Sequence, residues 1–392
     1  MRLVLVNHCP PALCHVCAVR LSSFAEALAR AGHHVVLLTE TLPGRTGDGV
    51  PDLEERLGGH DWTRPLALGV RPQGGNLARL ARTGRLPTGI RQAVIAWTYL
   101  SRGGLFGDWS DAARPLAEAL GRRFKPQAVW ASFGNSDCWL LGQWVARAAA
   151  CPWVADVKDP PSVFLPGSLR RAVLARFRDA AAFTALSSGH AGDVRRCLGR
   201  EATIIHSGID DSFLVPPPSP PAGPLSLLVV GALYDEADLA ALMEGVRRHA
   251  AAAPGPLRLA YAGGEAERFT RAAAGLAGRV EVKAHAFMPL DALRREMEKA
   301  HALLYVRNPR ALFQHKLFEF LALGRPILCL PDEAPEAHDL ARRAGGRLIG
   351  CADAAALAGA LAALPEVRPP QGLEQYTWDA QALILAEALA RA

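Results

Sequence analysis

The sequence contains no run of roughly 18 uncharged apolar residues, so a membrane-spanning helix is not expected. It opens without the pattern of a secretory signal, and its eight cysteines show no pairing pattern; both features lead us to expect a reducing, cytoplasmic setting. No G-x-G-x-x-G follows the first strand of either half, which argues against a nicotinamide-dependent enzyme. No nucleic-acid-binding motif accompanies the positive charge, and nucleic acid is not an expected partner. Nor does an aspartate pair flank a strand end as in metal-dependent transferases.

What is present fits a globular protein: 392 residues, 50% apolar and 21% charged. That length suggests two or three domains. The net charge of +6 permits an anionic partner. Between positions 64 and 102, Arg64, Arg71, Arg79, Arg82, Arg85, Arg91 and Arg102 are interleaved with Leu77, Leu80, Leu86, Ile90, Val94, Ile95 and Trp97. This mixture could rest on an acidic membrane surface, face a phosphorylated acceptor, or form a solvated basic face.

Strand and helix alternate along the chain. Leu3 to Val6 reads as a buried strand, followed by an amphipathic helix on Leu21, Phe24, Ala25 and Leu28 that closes at Gly32. Further buried strands are expected at 35–39, 129–132, 153–157, 183–187 and 203–207. After the proline-rich run VPPPSPPAGP the same alternation resumes with LSLLVVG, LRLAYAGG, VEVKAHAF, ALLYVR, PILCLP and GRLIG. The reading is α/β, with parallel sheets covered on both faces. Expected domains are 1–214, a linker at 215–224, a second domain at 225–375 and a final helix at 376–392 that returns to the first.

The loop after the first strand carries Cys9, Cys14 and Cys17, with His8 and His15. Zinc could use the three cysteines and one histidine. A plant-type iron-sulfur site needs a fourth cysteine nearby, yet none comes before Cys138. A usual zinc site draws on two separated pairs. We therefore expect buried or loop thiols and no metal.

In the second half, HKLFEFLALGRPILCLP sets Lys316 and Glu319 one helical turn apart after a strand. A helix amino end favours a diphosphate, lysine adds a point charge, and glutamate can accept from ribose hydroxyls. The alternative is a surface i, i+3 ion pair. This segment resembles the "PxKlfEylA.GkPvv" signature of family four of the retaining, nucleotide-sugar-dependent glycosyltransferases of the GT-B fold. AGHHVVLLT, WVADVKDPP, LSSGHAGDVRRCLG, TIIHSGID, VGALYDEADL and YAGGEAE follow in the family's order.

The resemblance implies two Rossmann-like domains facing a central cleft, with a C-terminal helix bracing the first, and transfer of a sugar from a nucleoside diphosphate to an acceptor hydroxyl with retention. It implies Lys316, Glu319 and Asp159 in catalysis, and donor contacts from Lys316, Glu319, Leu317, Gly231, Gly263, Gly264, Phe287 and Arg307. On the acceptor side it implies His15, Cys17, Asp156, Lys158 and Asn135, with a tight turn at Ser207 and Gly208. The acceptor would be a sugar, a lipid-linked group or a small molecule, with no metal or cofactor needed, and a lipid-linked acceptor would set the protein at the inner membrane face. Asp156, Lys158 and Asp159 could equally form a helix cap and ion pair. Two family features are absent. Ala311 stands where a second glutamate is common, and no basic pair follows Gly231, which leaves a non-catalytic sugar-nucleotide-binding protein as the alternative.

Overall fold

The computed structural model describes every residue except Cys14, Gly75, Asn76, Pro216, Pro217, Pro220, Pro221 and Pro254. Four of these are prolines of the expected linker at 215–224, which thus lies partly outside the described residues. The chain forms two compact units, one of Met1–Gly208 with Trp378–Ala392 and one of Ile209–Thr377. The division thus precedes the proline-rich run, and the chain re-enters the first unit at Trp378.

The first unit is built on seven parallel strands: β1 (Arg2–Val6), β2 (His34–Glu40), β3 (Leu66–Val70), β4 (Ala128–Ser132), β5 (Trp153–Val157), β6 (Ala182–Ala185) and β7 (Thr203–Ile204). Their order is β3-β2-β1-β4-β5-β6-β7. The second contains β8 (Leu225–Val230), β9 (Leu257–Ala262), β10 (Val280–His285), β11 (Ala302–Val306), β12 (Ile327–Leu330) and β13 (Leu348–Gly350), ordered β10-β9-β8-β11-β12-β13. Both are Rossmann-like sheets. The strand order reverses beside β1 and β4 in one and beside β8 and β11 in the other, and the loops leaving such a switch point are where open α/β sheets bind ligands.

The central strands are apolar throughout because helices cover both faces. Leu3, Val4, Leu5 and Val6 are all fully buried. On one face Leu21, Phe24 and Leu28 of the helix Val16–Arg30 share a core with Trp378, Leu385 and Leu389 of the final helix, Trp378–Ala390. The rings of Phe24 and Trp378 meet edge-on at 5.2 Å. The C-terminal helix therefore braces the first unit. At the turn before it a side chain on Gly208 would stand 2.4 Å from Trp378, so only glycine fits.

Two sequence expectations are corrected. β3 was hidden within the basic stretch, where the flanking Arg64 and Arg71 masked a short alternating edge strand. β7, read as a buried strand of five residues, is two residues long and exposed, as an edge position allows.

Arg20, 1% exposed, crosses beneath the carboxyl edge of the first sheet. Its guanidinium lies 3.1 Å from Asp156 Oδ1 and 3.4 Å from Oδ2, donates to Ser207 Oγ at 3.2 Å and to Ile205 O at 3.1 Å, and faces the rings of Phe24 and Trp130. Ser132 Oγ and Thr184 Oγ1 complete the Asp156 shell at 2.7 and 2.8 Å. Removing one partner leaves a buried charge unmatched. Arg20→Met should therefore cost about 3–5 kcal/mol in urea denaturation. The double variant Arg20→Met, Asp156→Leu should recover much of that loss, and equal destabilisation in both proteins would contradict the account.

Candidate functional site

In the second unit, β8 ends at Val230 and turns through Gly231 at a φ of 100°. Lys316 Nζ donates to Val230 O at 2.9 Å and lies 4.6 Å from the centre of the Tyr305 ring. A side chain on residue 231 would begin 2.7 Å from that ammonium, so the glycine leaves the space the lysine occupies. Burial lowers the Lys316 pKa to about 7.

One turn later Glu319 places Oε2 in a buried position with no hydrogen-bond partner. Burial raises its pKa to about 7, with the Asp210 carboxylate pushing the same way. The i, i+3 ion pair considered from sequence does not form, since Lys316 is engaged by a carbonyl and Glu319 Oε2 by nothing among the described residues. The helix itself, Leu317–Ala322, has six residues, with Lys316 at its cap. So short a helix contributes little dipole, and charge compensation here rests on the lysine more than on the helix end that the sequence suggested.

The remaining expected donor contacts divide. Leu317 is fully buried and its side chain belongs to the core. Arg307 is matched by Glu333 at 3.3 Å and donates to Asp332 O at 2.8 Å. Gly263 is required by its own unit, because a side chain there would meet the Tyr261 hydroxyl at 2.2 Å and Gly231 O at 2.6 Å. Gly264 faces open space, and Phe287 is 62% exposed. A basic residue that the sequence did not point out, Arg268, reaches the turn after β8, yet Glu265 and Glu236 match it at 2.6 and 2.8 Å.

In the first unit the expected acceptor residues also separate. Asp156 is fully buried, its carboxylate taken up by Arg20, Ser132 and Thr184. Cys17 is 2% exposed and turned inward. The neighbouring Cys9 pulls the Cys17 thiol below its ordinary range, helped by His15 and Lys158, while Cys9 itself is pushed up by Cys17 and by burial. His15 is exposed as a residue, but its Nδ1 turns in and accepts from the Cys17 amide at 3.2 Å. Lys158 Nζ bonds Asp159 Oδ1 at 3.0 Å. The helix that follows has no side-chain cap, so of the cap and ion pair that the sequence set against an acceptor role only the ion pair forms. Asn135 caps the helix Ser136–Ala149 by accepting from the Cys138 amide at 3.2 Å, while its buried Nδ2 has no partner.

Sequence reasoning weighed the first of three neighbours of these groups only as a zinc ligand and passed over the other two. His8 follows β1 and is kept neutral by burial, which lowers its pKa to about 4. Glu40 ends β2 with a buried, unpartnered Oε1 and a pKa raised by burial to about 7. His190 lies buried 2.8 Å from Ser187 Oγ. The first two sit at strand ends, a signal that was available; the burial of His190 was not.

No family model and no curated protein matches the chain. Among solved structures it is similar to a glycosyltransferase from Rickettsia africae (TM-score 0.61, 11% identity, 99% of this chain and 94% of that one). It is also similar to Anabaena HepE in complex with UDP-glucose (0.58, 15%, 99% and 95%). A third is a Listeria monocytogenes structure described as a putative UDP-N-acetylglucosamine 2-epimerase (0.60, 12%, 100% and 96%). At these identities the likeness establishes the fold, which is GT-B.

A buried carboxylate without a partner is costly to the folded chain. Glu319→Gln should stabilise the unliganded protein by about 1–3 kcal/mol above pH 7. Because the folded pKa is raised, the wild-type penalty develops as pH climbs from the ordinary carboxyl range through 7, so the gain should vanish near pH 4. Denaturation at the two pH values measures it, and a Gln variant less stable than wild type above pH 7 would mean Glu319 has a structural partner.

Proposed function

We propose that the protein is a glycosyltransferase that moves a sugar from a nucleoside diphosphate to an acceptor hydroxyl with retention. The observation that carries this reading is the pair formed by Lys316, half-buried against a carbonyl, and Glu319, half-buried with its Oε2 enclosed and without a partner among the described residues. An unmatched donor and an unmatched acceptor one turn apart suit a ligand that brings both an anion and hydroxyl groups. Lys316 takes the diphosphate and Glu319 the ribose hydroxyls.

In the reaction the bond from the anomeric carbon to the diphosphate breaks while the acceptor oxygen bonds the same face of that carbon. The acceptor proton passes to the departing phosphate. Charge grows on that phosphate, and a preorganised ammonium stabilises it where it appears. Lys158 and Asp159 position the acceptor hydroxyl from the first unit, and Asn135 supplies a free donor. Gly264 and Phe287 border the donor. Nucleotide binding by the Anabaena neighbour supports the donor class.

A lipid-linked acceptor at a membrane surface is the reading the basic stretch favours. Leu77, Ile90 and Trp97 are 59%, 57% and 72% exposed. They line an apolar groove of about 540 Å3 on the helix Thr88–Arg102. Part of the basic charge is internally matched: Arg82 pairs with Asp108 at 3.0 Å, and Arg102 pairs with Asp111. No helix among the described residues is long and apolar enough to cross a membrane. A sugar-nucleotide-binding protein without chemistry is the second reading. It is favoured by Ala311 and by the acidic segment after Gly231, where Glu236 and Glu265 hold the nearby arginine.

Thermal shift with uridine, guanosine, adenosine and thymidine diphosphate sugars should find one base that raises the melting temperature. Lys316→Ala and Glu319→Ala should abolish that shift and lower transfer by about 100-fold or more. Because Lys316 must hold its proton and Glu319 must have lost its own, donor affinity should pass through a maximum near pH 7, and Glu319→Gln should lose the acidic limb only. Binding without nucleoside diphosphate release over a pool of acceptors would select the second reading, and turnover unchanged in both alanine variants would end the first.

Trp97→Glu should weaken co-sedimentation with vesicles containing anionic lipid while leaving the donor-induced thermal shift intact. Equal sedimentation of the two proteins would remove the membrane from the proposal.

A further inference from the structure

The loop leaving β1 concentrates chemistry that the transfer reaction does not use. Cys9 Sγ, Cys17 Sγ and one ring nitrogen of His15 all lie within 4.8 Å of one another. Cys9 Sγ is 3.6 Å from His15 Nδ1 and 3.3 Å from His8 Nε2. A tetrahedral ion bonded at about 2.3 Å to sulfur and about 2.0–2.1 Å to nitrogen holds those two atoms about 3.6 Å apart. The sulfur and imidazole atoms are therefore already close to the spacing that an ion would impose.

The spacing rule that argued against metal assumes ligands brought together from two separated segments. Here one loop does the same by folding back on itself, with Leu13 N bonded to Pro10 O at 2.9 Å and His15 N to Leu13 O at 2.7 Å. That return sets Cys9 against Cys17, which opens the helix Val16–Arg30. The ionic balance also suits a divalent ion. Two thiolates would cancel it, while Lys158, the cation facing Cys17, is already matched by Asp159 at 3.0 Å. His8 is held from its other side by Cys138 Sγ, 3.9 Å from Nδ1, which fixes the ring with Nε2 towards Cys9. Cys14 lies in this loop but outside the described residues.

We propose that Cys9, His15 and Cys17 bind one zinc-class divalent ion, its fourth position taken by solvent, that ties the loop after β1 to the start of the following helix. The metal displaces the thiol protons to solvent, and no electron transfer is involved. Nothing in this proposal depends on the second unit or on donor binding.

The test is an anaerobic titration of the reduced, metal-free full-length protein with Co2+. One equivalent should produce sulfur-to-cobalt charge-transfer absorption in the near ultraviolet and the visible bands of a tetrahedral site, and Zn2+ should displace it. Cys9→Ser and Cys17→Ser should lose the charge-transfer intensity in part and weaken binding by on the order of 100-fold, whereas Cys151→Ser should titrate like wild type. Should the serine variants fail to fold, His15→Ala decides, because His15 is exposed and its removal should shift the visible bands and lower affinity. Absence of charge-transfer absorption in the reduced wild type overturns the proposal. So does a His15→Ala protein that titrates identically to it, or charge-transfer absorption of undiminished intensity in folded Cys9→Ser and Cys17→Ser. Since the readout is spectroscopic, failure here leaves the glycosyl-transfer reading untouched.

Discussion

The first unit depends on one buried cation. Arg20 leaves the helix Val16–Arg30 and meets Asp156 at the end of β5, Ser207 and Ile205 beyond β7, and two aromatic faces on the way. Burying a guanidinium is expensive, and the expense is tolerable only because every direction around it is filled. Being so constrained, it fixes the helix against strands distant in sequence. The loop before that helix carries His8, Cys9, His15 and Cys17, so its exit is as firmly placed as its entry from β1.

The second unit shows the opposite choice. Lys316 and Glu319 are half-buried where Arg20 and Asp156 are fully so, yet they are not paired with each other. A fold optimised for stability would have joined them or replaced them with apolar side chains. Burial without a partner pulls both pKa values towards about 7. Groups in that condition are common where a ligand supplies the missing partner, and uncommon where packing is the only demand. The glycine at 231 agrees, since it keeps backbone strain and side-chain bulk away from the ammonium.

Much of this was legible in the residues. Apolar runs separated by amphipathic stretches predict parallel sheets, and every strand of the second unit coincides with such a run. The return of the C-terminal helix could be anticipated as well. What they did not reveal has physical causes. β3 alternates weakly and lies between arginines, so charge concealed it. Asp156 looks like a site residue because strand-end acids often are, and only the tertiary placement of Arg20, far away in the chain, makes it a core residue. Cys17 sits at a helix start, where reactive thiols are found, but the folded-back loop turns it inward. In each case the deciding partner was distant in sequence or hidden by burial, which periodicity does not report.

The same limit governs the loop after β1. In a glycine-rich loop the backbone itself can approach a ligand, and order comes from the ligand. Here prolines, sulfur and imidazole replace glycine, so the loop must obtain its order from its own side chains. Thiol–imidazole contacts of 3.3 and 3.6 Å are weak hydrogen bonds in isolation. They leave two sulfurs and an imidazole nitrogen converging within 4.8 Å, an arrangement of soft donors with room for a cation at its centre. A divalent ion fills that room and gives the loop a rigidity that hydrogen bonds to sulfur do not, and it does so at the strand end where a switch-point site needs a fixed wall.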